Sequence, residues 1–120
     1  MAEILIVDDA KIMLDIISTM LDGTEHQVIG AVTSGKEALE AYITHRPDIV
    51  LLDINMPEIT GLETLREMKM IDSDVIIIIV SASRQHYDNA VALGATAYIV
   101  KPFSRQDIIR EITKSLKNGN

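Results

Sequence analysis

The stretch Ile49-Val50-Leu51-Leu52-Asp53-Ile54-Asn55-Met56-Pro57-Glu58-Ile59-Thr60-Gly61 decides the fold. An apolar, β-branched run too short for a free-standing helix stops at a carboxylate, and turn residues follow. That is the pattern of a buried strand delivering Asp53 at its carboxyl end. A lone carboxylate after dry side chains needs a cation or a reaction to justify its place. Asp53 could instead cap the next helix, but Gly61 and the capping box Thr60-x-x-Glu63 put that helix start several residues later.

The same alternation extends in both directions. Glu3 to Asp8 is a strand, and Ala10 to about Asp22 carries Met13, Ile16, Ile17, Met20 and Leu21 at the spacing of one helical face, closed by Gly23. His26 to Val32 is a second strand, and Ser34-x-x-Glu37 opens a helix with Ala38, Leu39, Tyr42 and Ile43 inward. Asp48 to Asp53 is the third strand. The helix after it, from about Gly61 to Met70, buries Leu62, Leu65 and Met68 and leaves Met70-Ile71 partly exposed. Val75 to Val80 has no polar face, so it is a central strand covered on both sides. A short, polar-sided helix from Gln85 to Leu93 ends at Gly94 and is expected to be the most mobile of the five. Ala97 to Val100 is the fifth strand. Ser104-x-x-Asp107 then caps a last helix with Ile108, Ile109, Ile112 and Leu116 inward, fraying at Asn118-Gly119-Asn120. Alternating β and α elements with apolar strands give a doubly wound α/β fold: one parallel sheet wrapped by five helices.

The 120 residues fit one domain without linker, repeat or low-complexity segment. With no cysteine there is no disulfide, thiolate nucleophile or cysteine-based zinc site, which suits a reducing compartment. Met1-Ala2-Glu3-Ile4 lacks a basic leader and Ile4 to Val7 is too short for a signal or membrane segment, so the expectation is a cytoplasmic protein without membrane contact. A net charge of −7 argues against binding a nucleic-acid backbone, which needs clustered Lys and Arg. His26, His45 and His86 have no paired ligand spacing, and the six methionines suit helical packing better than a cofactor site.

In a parallel sheet, chemistry gathers at the carboxyl ends of the strands. Here those ends carry Asp8-Asp9, Asp53, Ser81 and Lys101, while the second strand ends without charge at Ala31-Val32-Thr33. Singly each has an ordinary use: Asp9 as a helix cap, Ser81 in a turn, Lys101 in solvent. Together, three carboxylates, a hydroxyl and an ammonium at four strand ends form one candidate site. Two carboxylates about 5 Å apart repel by roughly 3 kcal/mol at an effective dielectric near 20, and a divalent cation removes the conflict. Hard oxygen ligands with one open side suit Mg2+, with a main-chain carbonyl such as that of Asn55 completing the set. Asp53 is then a carboxylate nucleophile facing a phosphoryl group, with Lys101, the Ser81 hydroxyl and a nearby backbone N–H on its oxygens. The product is an aspartyl phosphate, and no general base is evident to drive fast turnover.

The Asp8-Asp9 pair, Asp53-x-x-Met56-Pro57-x-x-x-Gly61, Ser81-Ala82 and Gly94-Ala95-x-x-Tyr98-x-x-Lys101-Pro102-Phe103 together resemble the receiver domain of two-component response regulators. The resemblance covers nearly the whole chain and is closest to the single-domain, CheY-like chemotaxis type, with residues 1–120 as the receiver and no output domain. It implies the flavodoxin-like strand order 2-1-3-4-5, which comes with the family and not from the residues. It implies that Asp53 takes a phosphoryl group from a phosphohistidine on a CheA-like sensor kinase, and that the product acts on a downstream motor or adaptor component. It also implies Mg2+ held directly by Asp9, Asp53 and the Asn55 carbonyl and through water by Asp8, with the backbone at Asn55 and Ala82 touching the phosphoryl group. Ser81 and Tyr98 become a switch pair, the hydroxyl moving toward the phosphate and the ring turning inward behind it. Asn55 and Ser83 tune the phosphoryl lifetime, Pro57 and Gly61 shape the loop, and a cis bond before Pro102 aims Lys101. The implied partner surface is the face around Tyr87, Ala90, Tyr98, Phe103 and Gln106, on a monomer.

Three other functions compete. A small-metabolite phosphohydrolase using the same intermediate wants a carboxylate two residues after the nucleophile, where Asn55 stands. A flavin-binding module wants a Ser/Thr/Gly-rich loop after the first strand, where Ala10-Lys11-Ile12-Met13 stands. A receiver serving only as a phosphate sink differs in having no target.

Overall fold

A computed structural model of the chain describes residues 2–118. Five strands, β1 (Glu3–Val7), β2 (Gln27–Val32), β3 (Ile49–Asp53), β4 (Ile76–Ser81) and β5 (Ala97–Val100), alternate with five helices. These are α1 (Lys11–Leu21), α2 (Gly35–His45), α3 (Gly61–Ile71), α4 (Tyr87–Ala92) and α5 (Arg105–Asn118). The strands form one parallel sheet in the order β2-β1-β3-β4-β5. Of the fraying expected at Asn118-Gly119-Asn120, the last two residues lie outside the described residues.

Because side chains alternate across a strand, apolar runs supply two cores at once. Ile4, Ile6, Ile49, Leu51, Ile76, Ile78 and Val80 face one side, against Leu14, Ile17 and Leu21 of α1 and Ile108 and Ile112 of α5. Leu5, Val7, Val50, Leu52, Ile77 and Ile79 face the other, against Ala38 and Tyr42 of α2, Leu65 and Met68 of α3 and Ala90 of α4. No helix among the described residues is long and apolar enough to cross a membrane.

Helix termini follow their local chemistry. Ser34 accepts from the Glu37 N–H at 3.1 Å, but the expected box does not close, because the Glu37 carboxylate reaches one residue further back and accepts from the Thr33 N–H at 3.2 Å. Thr60 and Glu63 make the full reciprocal box, and Ser104 and Asp107 exchange backbone-to-side-chain bonds in the same manner. Gly94, at φ 102°, is the C′ residue of α4, whose Gly94 and Ala95 amides return to the Val91 and Ala90 carbonyls in a Schellman motif. The α4 helix, Tyr87–Ala92, is shorter than its sequence pattern, and its N-cap, His86, contributes no side-chain bond.

Two residues expected inward, Ile16 and Ile43, are exposed, and one expected at the surface, Ala90, is buried. On α1 the buried stripe is Leu14, Ile17 and Leu21 with Met13 and Met20 beside it, whereas Ile16 is 39% exposed. Two residues after Leu14, Ile16 is rotated about 200° from it, onto the solvent side. On α2, Ile43 is 55% exposed for the same reason, being next to buried Tyr42 but off its face. Ala90, expected on a partner surface, is fully buried, since α4 meets the sheet through that small side chain.

One close approach ties the fold to the site. The Gly61 amide donates to the Ile54 carbonyl at 2.8 Å, so α3 begins against the end of β3. A Cβ on Gly61 would lie 2.1 Å from the Asp53 carbonyl oxygen and 2.5 Å from the Ile54 Cα, both backbone atoms with little freedom to yield. Gly61→Ala is expected to cost about 1–3 kcal/mol or more in urea unfolding, through overpacking of this contact. Unchanged stability would show that the contact relaxes freely.

Candidate functional site

The strand ends expected to meet do meet. β1 and β3 are neighbours in register Val7↔Leu52, so the next residues, Asp8 and Asp53, leave the sheet side by side. Asp8 and Asp53 are buried, Asp9 is exposed, and one carboxylate oxygen from each lies within 4.8 Å of the others. From the far side β5 brings Lys101, whose N–H donates to the Ser81 carbonyl at 2.7 Å and whose peptide bond to Pro102 is cis. Its ammonium reaches Asp8 Oδ2 at 2.9 Å and Asp53 Oδ1 at 3.6 Å. Ser81, at the end of β4, is buried, and its hydroxyl oxygen accepts from the Ser83 N–H at 3.3 Å.

The two acidic residues after β1 divide their work differently from the sequence pattern. Asp9 does not cap α1: the N-cap is Ala10, with no side-chain bond. Instead Asp8 Oδ1 accepts from the Ala10 N–H at 2.9 Å, leaving Asp8 Oδ2 for Lys101 and the Asp9 carboxylate free to point toward the cluster. The tight pairing of Lys101 with Asp8 rather than Asp53 is not legible in sequence, because nothing local ranks two carboxylates 45 residues apart.

The remaining expected residues lie around this pocket. Asn55 contributes a backbone hydrogen bond to Asp53, and Met56 is buried below the loop. Pro57 precedes Glu58, whose φ of 66° turns the chain back toward α3. Ala82 and Ser83 are exposed at the start of the β4–α4 connection. Tyr98 is half-buried, and its hydroxyl donates to the Ser83 carbonyl at 2.5 Å. Tyr87, Phe103 and Gln106 are at least partly exposed on the face where Ala90 is not. Arg84, lying over the Tyr87 ring, drew no attention in sequence, where no spacing rule signals a contact between a loop cation and two rings.

Burial, followed by the Asp8 charge, pushes the Asp53 carboxyl up from 3.8 to about 6, with Lys101 and the Asn55 amide opposing and Asp9 adding to the rise. Crowded, partly desolvated carboxylates that keep an ammonium nearby form a strongly negative pocket with hard oxygen donors, chemistry that fits a divalent cation. Among the described residues no other group of three potential ligands comes together, and none of the histidines takes part.

The raised value has a definite sign for stability. The native state holds the Asp53 proton more tightly than the unfolded chain, so its stabilisation is complete below about pH 3.8 and is lost as pH rises toward 6. Asp53→Asn removes the penalty. In metal-free buffer at pH 7 that variant is expected to melt roughly 3–10 °C above the parent, from about 1–3 kcal/mol, and the gain should vanish near pH 4. Equal melting temperatures at pH 7 would mean the carboxylates are not in conflict.

The family model for the response regulator receiver domain matches residues 4–113. The chain is similar to the chemotaxis protein CheY of Bacillus subtilis, 40% identical over 94% of this chain and 96% of that one. It is similar also to the chemotaxis protein CheY of Thermotoga maritima, 37% identical over 95% and 97% of the two chains. Among solved structures, the CheX-CheY-BeF3-Mg complex from Borrelia burgdorferi superposes with a TM-score of 0.91 at 27% identity, covering 95% of this chain and 88% of that one. A parallel sheet that gathers three carboxylates and a lysine at one edge, and sequence relatives matched almost end to end, lead to one conclusion: the chain belongs to the response regulator receiver domain family.

Proposed function

We propose that this chain is a phosphoryl-accepting signalling switch of a two-component system, with Asp53 as the acceptor. The observation that carries the reading is the meeting of Asp8, Asp9, Asp53 and Lys101 in one pocket at the carboxyl edge of the sheet. Each residue has a chemical part. An Asp53 carboxylate oxygen bonds to phosphorus, and the bond from phosphorus to the donor breaks, its electron pair leaving with a phosphohistidine nitrogen or an acyl-phosphate oxygen. The attacking group needs no general base, since a carboxyl titrating at about 6 is largely ionised at pH 7. The Lys101 ammonium, already 3.6 Å from Asp53, neutralises one oxygen of the transferring group. The Ser81 hydroxyl, freed from the Ser83 amide, donates to another. Asp8, Asp9, Asp53 and the Asn55 carbonyl are the residues that would hold Mg2+, which when bound offsets charge on the phosphoryl oxygens.

The donor in this reading is a sensor histidine kinase, CheA-like, and the output is a chemotaxis-type target. Support for the chemotaxis branch is the near-complete coverage of CheY relatives on both chains. Ser81 and Tyr98 form the switch pair, linked here through Ser83, whose amide bonds the Ser81 hydroxyl oxygen and whose carbonyl takes the Tyr98 hydroxyl proton. Neither Asn55, two residues past the acceptor, nor Ser83 offers a carboxylate to activate water. Slow loss of the phosphoryl group, rather than enzymatic turnover, follows.

Incubation with acetyl phosphate and Mg2+, read by intact mass, is expected to add one phosphoryl group. The addition should be absent in Asp53→Asn and at least tenfold slower in Lys101→Met, on the order of a lost charge-assisted contact. Sustained phosphate release from many phosphoesters, with no labelled protein, would instead support a phosphohydrolase.

A further inference from the structure

Arg84 takes no part in the carboxylate pocket, and its placement is unusual for so acidic a chain. With 18 Asp and Glu residues in the sequence, its guanidinium makes no ion pair among the described residues. It lies instead 4.7 Å from the centroid of the Tyr87 ring and 5.9 Å from that of Tyr98. The two rings meet edge-on, with centroids 5.5 Å apart and planes at 62°. The residue before Arg84 holds the other end of Tyr98, since the Ser83 carbonyl accepts its hydroxyl proton at 2.5 Å. Consecutive loop residues therefore grip both ends of one side chain: Ser83 takes the hydroxyl, while Arg84 and Tyr87 enclose the ring. Tyr98 is packed inward in this arrangement, against the core side that holds Ile77, Ile79 and Ala90.

We propose that Arg84 is a positioning residue that latches Tyr98 in its inward place and thereby biases the site toward phosphoryl binding. The proposal rests on the reading of Ser81 and Tyr98 as a switch pair. Its physical content is linkage: a contact made only with the ring inward favours whatever else requires the ring inward, by the same factor in both directions. A cation against an aromatic face at an exposed position accounts for about a two- to fivefold bias. The guanidinium suits this use better than an ammonium, because it is planar and weakly hydrated and can lie against a ring.

The test labels the protein with 3-fluorotyrosine, assigns Tyr98 by Tyr98→Phe, and compares the parent with Arg84→Met and Arg84→Lys. In the unphosphorylated protein Arg84→Met, which keeps the stem but not the charge, is expected to move the Tyr98 fluorine signal toward a solvent-exposed position. Arg84→Lys should fall between the two. In a titration with beryllofluoride and Mg2+, Arg84→Met should need about two- to fivefold more beryllofluoride for half-saturation. Its Mg2+ affinity without beryllofluoride should match the parent, which a merely damaged fold would not allow. A Tyr98 signal and a titration in Arg84→Met equal to the parent's would overturn the latch. Should no protein respond to beryllofluoride while the fluorine signal still moves as described, the latch stands and the phosphoryl-switch reading fails.

Discussion

The constraint on which the structure turns is the crowding of like charges at the edge of a sheet. Asp8 and Asp53 are buried, Asp9 joins them from the rim, and one ammonium stands against two of the three. A carboxylate 4% exposed with a second close by is held at a cost, and burial together with the Asp8 charge pushes the Asp53 carboxyl up to about 6. Lys101 relieves part of that cost without removing it, because its shortest contact is to Asp8. What remains is a crowded acidic pocket with hard oxygen donors, chemistry that fits a divalent cation.

The surrounding fold keeps that conflict from relaxing. Every residue of β3 and β4 is buried, so neither strand can slide to let Asp53 or Ser81 escape to solvent. Gly61 lets α3 start against the backbone of Asp53 and Ile54, and the reciprocal bonds of Thr60 and Glu63 fix that start. On the other flank the Lys101 amide is tied to the Ser81 carbonyl. Rigidity is thus concentrated below the pocket. The hydrogen bonds of the connection from β4 to α4 are more exposed, and α4 is the shortest helix.

That contrast suits the proposed switch. Ser81, Ser83 and Tyr98 form a continuous path of hydrogen bonds from a buried strand end to a half-buried ring, and the Arg84 latch acts on its far end. In the proposed switch, this loop is what joins the pocket to the face beside α4 and α5.

Some of this was legible before any coordinates. Five strands and five helices, the double covering of Val75–Val80, the capping boxes at residues 60 and 104, the Ser34 cap and the C′ role of Gly94 follow from the sequence, because period, caps and turn residues are local properties. The carboxylates, hydroxyl and lysine at strand ends were likewise visible as a set. Their lateral meeting was not: residues 8, 53 and 101 are brought together only by the order in which strands lie side by side, which local pattern does not encode and which came with the family resemblance. The burial of Ala90, the choice of Asp8 as the lysine's nearer partner and the seat of Arg84 on two rings were decided by tertiary packing alone. Each depends on distances between elements remote in sequence, and those distances are set only when both cores close on the sheet.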